Sequence, residues 1–383
     1  MNNNVAKRRT RFFEPDIVAW PELDPVLLLI AVMLPLVGLV AVTSARMPQG
    51  AENPTLFGAE TLRHLCITAV GFGLCIVAAQ IDYRRYGSKS WVLYAISILF
   101  LVALLIPGVA EGDGPRRWLN TPLISFQPSE LTKLSLLLLL SYGAGKSSSS
   151  IGSLKTFGFG LALLLIPTLL IVAQPDLGTS LIVLTIGGTI GLVSGTKWRH
   201  LIAVPTLAVI AGLVSVALNP YQWTRVRSFL DPSLDPLGGA YQAKQTLLAL
   251  GSGGIAGKGL GMGTMKYHYL PAAPTDSILA VIGEEGGLLA TSLIVVTFTA
   301  LLARGLWIAA HAPDTFGQCL AAGISFQITM QAFVNILVVS GLIPVTGIPL
   351  PFISSGGSSL IISLIMMGIL LNIARAGRMS RKL

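Results

Sequence analysis

Charged residues, cysteine and histidine are all scarce in this sequence. Only 11% of the 383 residues are charged, whereas 53% are apolar and the mean hydropathy is +0.74. Soluble domains carry about a quarter charged residues, so the composition excludes a soluble enzyme with a polar surface. The three cysteines each lie in an apolar run, which excludes a disulfide framework, and the four histidines lack metal-ligand spacing. The composition is instead that of a chain lying mostly in lipid.

Long apolar runs are abundant, and they indicate ten membrane-spanning helices. A hydrocarbon core about 30 Å thick needs about 20 apolar residues per helix. Uncharged runs of that length occur at 25–45, 61–80, 91–110, 157–174, 177–196, 201–219, 317–340 and 355–374. Two further runs contain charge: 129–145, with Glu130 and Lys133, and 277–303, with Glu284 and Glu285. We therefore predict an all-α polytopic membrane protein with ten transmembrane helices.

The net charge of +9 has a membrane explanation and does not require nucleic acid as a partner. With ten spans both termini lie on one side, and most of the 26 Lys and Arg fall on that side. The positive-inside rule therefore predicts cytoplasmic termini. We predict a cytoplasmic tail over 1–24, a transmembrane domain over 25–374 and a basic cytoplasmic tail over 375–383. Acidic residues gather on the opposite side, so we expect the chemistry at the outer face.

A long extracytoplasmic loop over 220–276 joins the seventh and eighth predicted helices, and it is too long for a passive linker. Within it, Tyr241–Leu250 predicts a short amphipathic helix at the membrane interface. The glycine-rich stretch Gly251–Gly263 lacks the Gly-Lys-Ser/Thr of a phosphate loop and follows no strand, which excludes both nucleotide fingerprints. It is either a flexible re-entry segment or a backbone surface for a lipid headgroup.

The connection before the fourth predicted helix places Arg116, Arg117 and Trp118 just upstream of Glu130 and Lys133. The latter two share a helix face at i, i+3. A charge inside a span costs about 2.5–3.5 kcal/mol near its centre, so such residues pair or line a polar cavity. We interpret Glu130 and Lys133 as lining a cavity, with a structural ion pair as the alternative.

Asp276 precedes an apolar helix at the outer mouth of the predicted bundle. Either it or Thr275 caps that helix, a contribution of about 1 kcal/mol, or Asp276 is a functional carboxylate. As a functional group it acts as a general base or holds a divalent cation, Mg²⁺ or Mn²⁺. A helix N-terminus favours its ionised form, which a base requires.

Three further features favour a buried polar site. Glu284 and Glu285 lie deeper in the same helix, so we expect at least one to face Lys133 or an arginine inside the bundle. Arg225 and Arg227 suit a pyrophosphate, which a guanidinium binds bidentately; a solvated surface is the alternative. The hydroxyl-rich break Pro349–Ser359 is expected to line a protein-enclosed cavity, and it includes the candidate substrate-binding residues Ser354 and Ser358.

Taken together, these segments resemble the SEDS family of cell-wall proteins, which includes FtsW, RodA and SpoVE. The matching pieces are RRWLN (116–120), ISFQPSELTKL (124–134), QPDLGTS (174–180), YQAKQTLLALGSGG (241–254), GKGLGMG (257–263), YLPAAPTDSILAVIGEEGGL (269–288) and GIPLPFISSGGSS (347–359). They occur in the family's order and extend from the third predicted helix to the tenth.

The resemblance implies a peptidoglycan glycosyltransferase of the bacterial cytoplasmic membrane. Such proteins polymerise lipid II at the outer leaflet, release undecaprenyl pyrophosphate and work with a class B penicillin-binding protein. The family's essential loop aspartate corresponds to Asp276, its tryptophan to Trp118 and its charged pair to Glu130 and Lys133. On this reading Asp276 is the base. The cations Lys133, Arg116, Arg117, Arg225 and Arg227 stabilise the leaving group, with Mg²⁺ or Mn²⁺ as a further aid.

The sequence departs from the family pattern at three positions. Pro274 stands where the family usually has His, Ser277 where it has Phe, and Ser355 where it has Tyr. The IGEE of the eighth helix looks more like FtsW, the division member, than RodA. Two other functions remain open: a lipid II flippase, and a scaffold that only recruits the transpeptidase. The absence of an obvious repeat and the outward position of the charges favour chemistry at the outer face.

Overall fold

The computed structural model describes residues 23–47, 58–106, 117–120, 125–146, 154–235, 238–267 and 269–381. Within these ranges the chain is almost entirely helical. The prediction for Arg116, and those for most of the tail over 1–24, lie outside the described residues.

Helices occupy all ten predicted runs. In chain order they are α1 (Pro25–Ala45), α2 (Ala59–Gln80), α3 (Tyr83–Ala103), α4 (Pro128–Lys146), α5 (Leu154–Ala173), α6 (Leu177–Val193), α7 (Trp198–Leu201) with α8 (Ala203–Leu218), α11 (Ile278–Ala310), α12 (Thr315–Val339) and α13 (Gly357–Arg381). The long loop adds α9 (Pro220–Leu230), a 3-10 turn (Pro232–Leu234) and α10 (Gly239–Ser252). Two short strands, β1 (Leu119–Asn120) and β2 (Ser125–Phe126), pair antiparallel before α4.

Eight of the helices in the described ranges are long and apolar enough to span a membrane, which makes the chain a multi-pass membrane protein. The helix α6 is shorter, at 17 residues, and α4 carries Glu130, Lys133 and Lys146. Among the eight, α12 and α13 are the most deeply buried and form the centre of the bundle. The other spans lie around this pair and face lipid over much of their surface.

Ion pairs show which helix ends lie together. Asp24 caps the start of α1 and pairs with Arg304 near the end of α11 and Arg378 near the end of α13, each at 2.6 Å. Asp314 caps the start of α12 and pairs with Arg84 at the start of α3, at 2.9 Å. We call this end of the bundle the Asp24 face. Successive helices run in opposite directions, so the long loop lies at the other end, the Asp276 face.

The helix α3 begins earlier than predicted, at Tyr83 instead of 91. The intervening residues include Arg84, whose backbone N–H donates to the Asp82 carboxylate at 2.9 Å and whose side chain pairs with Asp314. Because these polar residues cap and pair at the Asp24 face, the helix extends beyond its apolar run. In the long loop, α10 confirms the amphipathic helix predicted at Tyr241–Leu250.

The helix α11 is interrupted at Gly287, whose φ is 67°. The glycine-rich segment lies in this break. The N–H groups of Lys258 and Gly259 donate to the carbonyls of Glu284 and Glu285, both at 3.0 Å. In return, Leu288 N–H donates to the carbonyl of Gly254 at 2.9 Å. The segment thus satisfies the backbone groups that the break exposes, as a buried backbone requires.

Glycine is required for this close approach. A Cβ on Gly257 would lie 2.1 Å from the carbonyl oxygen of Glu285, and one on Gly253 would lie 2.0 Å from that of Gly283. The prediction of a flexible re-entry segment is therefore replaced by a finding: the stretch packs against α11 through its backbone.

Candidate active site

Asp276 lies in the turn that leads into α11, at the centre of the Asp276 face. Its carbonyl accepts a hydrogen bond of 2.9 Å from Nδ2 of Asn335 on α12, and the same Nδ2 donates to the carbonyl of Ile348 at 2.8 Å. The capping alternative is wrong. Ser277 occupies the N-cap position without a side-chain cap bond, and Thr275 Oγ1 donates to the carbonyl of Ala272 instead. The Asp276 carboxyl is thus left for another role.

Two arginines and one further carboxylate surround Asp276. Burial raises the pKa of Asp276, while the positive charges of Arg225 and Arg117 oppose that rise and the negative charge of Asp176 adds to it. A Cβ added at Gly347 would lie 3.4 Å from Arg117 Nη1 and 3.5 Å from Asp276 Oδ2. Both groups therefore approach the same point, and the φ of 74° at Gly347 favours glycine there.

The Asp276 carboxyl has no ion pair and no hydrogen bond with the residues that the structure describes. Its neighbours interact with it through charge at longer range. It is a half-buried carboxyl between cations, and its oxygens remain available to a ligand.

The two arginines are held in place by backbone carbonyls. Arg117 Nη2 donates to the carbonyl of Pro175, and its Nε lies 3.6 Å from Asp176 Oδ2. Arg225 Nη1, on α9, donates to the carbonyl of Val345 at 2.9 Å. A guanidinium has five N–H donors, so each arginine keeps most of its donors for a bound anion.

Asp176 is a residue whose role the sequence reasoning missed. It caps α6 by accepting from Thr179 N–H at 3.2 Å, and it lies beside Arg117. The available signal was its place in the QPDLGTS segment, together with its acidic character on the predicted outer side. It fixes Arg117 where that side chain reaches Asp276.

The hydroxyl-rich break positions the site through the backbone. Ser354 Oγ donates to the carbonyl of Thr275 at 2.7 Å, and Ser358 Oγ donates to that of Ser125 at 3.1 Å. Both serines were predicted to bind substrate. The structure buries them and directs them at the two segments that carry Asp276 and Arg117. Trp118 follows Arg117 directly and is half-buried.

Two of the departures from the SEDS pattern contact each other. The backbone N–H of Ser355 donates to the carbonyl of Pro274 at 2.9 Å. The third, Ser277, donates its hydroxyl to the carbonyl of Pro271 at 2.9 Å. All three thus lie in the turn that holds Asp276 or directly against it.

Glu130 and Lys133 form an internal network beside the site. Lys133 Nζ lies 2.8 Å from Glu130 Oε1 and donates to Gln331 Oε1 at 2.6 Å, and the two charged residues are only 2% and 1% exposed. Gln331 Nε2 in turn donates to the carbonyl of Pro349 at 3.1 Å. The structure therefore favours the ion-pair alternative over the cavity-lining interpretation.

Glu284 and Glu285 do not face Lys133 or an arginine, so that prediction is wrong. Glu284 Oε1 lies 2.7 Å from Lys258 Nζ, and Glu285 Oε1 lies 2.7 Å from Lys266 Nζ. Lys258 lies in the glycine-rich stretch of the long loop, and Lys266 follows that stretch by three residues. Sequence reasoning missed them because they reach α11 only after that loop folds back on the break at Gly287.

Arg227 is not brought to Asp276. It lies on the exposed face of α9, where its guanidinium carbon is 5.9 Å from the centre of the Trp223 ring. Arg225 faces the opposite way, toward Asp276. The two arginines therefore have different environments although only one residue separates them.

A divalent cation at Asp276, Mg²⁺ or Mn²⁺, stays a prediction, because Mg²⁺ is often held by one or two carboxylates together with substrate phosphates. Within the described ranges there is no group of three or more His, Cys, Asp or Glu side chains with metal-binding proximity. The two carboxylates at the site, Asp276 and Asp176, are balanced by two guanidiniums.

Comparison with known proteins gives matches over nearly the whole chain. The family model for FtsW, RodA and SpoVE, described as a cell cycle protein, matches residues 25–379. The peptidoglycan glycosyltransferase MrdB of Escherichia coli K12 is 39% identical over 94% of this chain and 95% of its own length. A probable peptidoglycan glycosyltransferase FtsW of Geobacter sulfurreducens is 40% identical over 92% and 95%. Stage V sporulation protein E of Bacillus subtilis is 37% identical over 93% and 98%.

Solved structures of proteins with related sequences have the same fold. A chain from a peptidoglycan synthase complex, described as coordinating polymerization and crosslinking, superposes with a TM-score of 0.75 at 29% identity, covering 94% of this chain and 99% of that one. The rod shape determining protein RodA of Thermus thermophilus gives 0.68 at 28% identity, covering 93% and 98%. The same helical arrangement thus occurs in both.

Proposed function

The chain belongs to the FtsW, RodA and SpoVE (SEDS) family, and from this premise we propose that Asp276 is the general base of its glycosyl transfer. The protein is a peptidoglycan glycosyltransferase, as its relatives over more than nine-tenths of the chain are. The observation that carries the proposal is the half-buried Asp276 carboxyl, which lies between Arg117 and Arg225 without an ion-pair partner among the described residues.

The reaction joins two lipid-linked sugars. Asp276 takes the proton from the 4-hydroxyl of the acceptor's GlcNAc, and that oxygen attacks the anomeric carbon of the MurNAc at the end of the growing chain. A β-1,4 bond forms with inversion, and the bond between the anomeric carbon and the phosphate oxygen breaks. The electron pair leaves with undecaprenyl pyrophosphate. The polymer grows by one lipid II unit.

The surroundings of Asp276 suit both halves of this step. Burial raises the pKa of Asp276, which strengthens it as a base, while the arginines favour the ionised form that accepts the proton. Arg117 and Arg225 each keep free donors after binding a backbone carbonyl. Donors fixed in advance stabilise the negative charge that develops on the pyrophosphate.

The cellular setting follows from the same family. The protein acts in the bacterial cytoplasmic membrane, with ten spans and cytoplasmic termini, and its Asp276 face lies outside. The grouping of Asp24, Arg304 and Arg378 at one end supports this orientation, because basic residues concentrate on the cytoplasmic side. A class B penicillin-binding protein is its partner, consistent with the likeness to a chain of a peptidoglycan synthase complex. The identities to MrdB, FtsW and SpoVE are close to one another, so both elongation and division fit, and the FtsW-like role remains a prediction.

Polymerisation of lipid II by the purified full chain, together with its penicillin-binding partner, tests the assignment. Asp276→Asn should lower the rate by about 10²–10⁴-fold, because it removes general-base catalysis, while the thermal unfolding midpoint stays unchanged. Asp231→Asn is the matched control: it makes the same change at an exposed carboxylate of the same loop. Wild-type rates for Asp276→Asn would show that another group takes the proton.

A further inference from the structure

A cavity lies far from Asp276, at the Asp24 face. Its volume is about 400 Å³, and α3, α4, α5, α6 and α8 all contribute to its wall. The end of α4 is fixed at this face by contacts with Phe316: the ring of Tyr142 is 5.7 Å from that of Phe316, which follows Asp314 closely. No step of the reaction above involves this cavity.

The inner wall is apolar and the mouth is polar. Leu163, Leu164 and Ile190 form its buried end. Aromatic rings, Trp91 and Phe159 with centroids 6.0 Å apart, lie on one side and are about half exposed. The Trp91 indole is amphipathic, and such rings concentrate at the membrane interface. The wall therefore suits a flexible hydrocarbon chain that enters from the bilayer.

The mouth carries uncompensated positive charge. Lys146 lines it, with Nζ 4.7 Å from the centre of the Tyr142 ring and no carboxylate in ion-pair distance among the described residues. Ser194 and Thr196 also line the cavity, and their hydroxyls are 3.3 Å apart. Glu130 is the one acidic residue in the described parts of the five helices, and it lies at the opposite end, paired with Lys133.

The size of the cavity restricts its occupant. An α-helix is about 10–12 Å across, so about 400 Å³ holds roughly one helical turn. A transmembrane helix of a partner protein does not fit inside. A single acyl chain does, and the basic mouth complements a phosphate.

From this we propose that the cavity binds an anionic phospholipid of the cytoplasmic leaflet, with one acyl chain between α5 and α6 and the phosphate at Lys146. The proposal rests on the orientation given above, but it does not depend on the role of Asp276. The site holds a membrane lipid that is neither substrate nor product of the glycosyl transfer.

Native mass spectrometry of the purified full chain, titrated with phosphatidylglycerol or with phosphatidylcholine, tests the proposal. Phosphatidylglycerol should bind more tightly. Lys146→Gln should weaken it about fivefold, since a basic residue near an anionic lipid contributes about that factor. Lys155→Gln makes the same change at an exposed lysine of the same face that does not line the cavity.

A second variant tests the proposal by filling the cavity with a larger side chain. A Cβ at Gly143 meets nothing within 4 Å, so Gly143→Leu places its side chain in the cavity without a backbone clash. It should weaken phosphatidylglycerol binding about tenfold or more, because each buried methylene of an acyl chain is worth about a fourfold factor. Gly73→Leu is the control, at an exposed glycine of α2 with the same open surroundings.

Loss of binding in both cavity variants, with both controls unchanged, supports the site. Equal binding of the two lipids, or phosphatidylglycerol binding that neither Lys146→Gln nor Gly143→Leu alters, overturns it. A third outcome also overturns the proposal: Gly143→Leu weakens lipid binding, but phosphatidylglycerol and phosphatidylcholine bind equally. That result would show an apolar cleft that accepts any acyl chain.

Discussion

The start of α11 carries two charged clusters that use their carboxylates in opposite ways. Glu284 and Glu285 each have a lysine ammonium at 2.7 Å, and Glu284 also accepts from the backbone N–H of Thr264 at 2.9 Å. Asp276, at the preceding turn, has charged neighbours but none in contact. In the first cluster the negative charge is satisfied within the protein, while in the second it is left for a ligand.

The two clusters differ in whether the cations contact the carboxylates. At Glu284 and Glu285 the lysines contact the carboxylates directly, although Lys266 Nζ also donates to the carbonyl of Gly261 at 2.9 Å. At Asp276 the guanidiniums of Arg117 and Arg225 are bound to the carbonyls of Pro175 and Val345, which keeps them close without an ion pair. Buried pairs are strongly destabilising to break, whereas preorganised donors next to an unpaired carboxyl are an arrangement suited to catalysis. Substitutions in the two clusters should therefore affect different measurements.

The largest effect should come from the paired cluster. Glu285→Gln leaves Lys266, whose side chain is fully buried, without a countercharge, and such a loss costs about 3–5 kcal/mol. Thermal unfolding in detergent measures it. Glu60→Gln is the matched control at an ion pair with Arg46 in which the glutamate is 71% exposed, where the cost should be about 1 kcal/mol or less. Equal shifts for the two variants would remove the distinction between the clusters.

The next effect should appear in the rate and not in stability. Arg225→Gln removes one fixed donor at the leaving group, a loss of about 10²–10³-fold in polymerisation. It also removes a positive charge that lowers the pKa of Asp276. Since the base must be ionised, the acid limb of the pH–rate profile should move to higher pH. An unchanged acid limb would mean that Asp276 is not the titrating base.

A smaller effect is expected at the glycine between Arg117 and Asp276. Gly347 has φ 74°, so alanine there costs about 1–2 kcal/mol of backbone strain. Its methyl group also occupies the point that both side chains approach. Gly195→Ala, at φ 81° with nothing within 4 Å, carries the same strain without those neighbours. Both variants should unfold at a lower temperature, but only Gly347→Ala should slow polymerisation beyond what its stability explains.

The smallest effect is expected at Arg227, which stacks on Trp223 at the exposed face of α9. Arg227→Gln should change stability by no more than about 0.5 kcal/mol and leave the rate and the acid limb at their wild-type values. A rate loss comparable to that of Arg225→Gln would place Arg227 in the site after all.

The helices of this fold are predictable from the sequence because lipid allows apolar residues on every side, so each span is a long apolar run. Asp276 and Arg117 are predictable from their segments. The pairing of Glu285 with Lys266 is not, since it depends on the glycine-rich stretch entering the break at Gly287. The sequence does not show which of Arg225 and Arg227 faces Asp276, because a loop allows either orientation. The structure decides this because the two residues lie on the helix α9, where residues two apart point to different sides.

The interruption at Gly287 divides α11 into two pieces. Spanning helices adapt to bilayer thickness by tilting, and an unbroken hydrogen-bond ladder carries such a tilt along its whole length. Here the glycine-rich stretch bonds to both pieces, to the carbonyls of Glu284 and Glu285 before the break and to the N–H groups of Leu288 and Leu289 after it. A tilt of the longer piece therefore reaches the turn at Asp276 through the glycine-rich stretch and not through a continuous helical ladder.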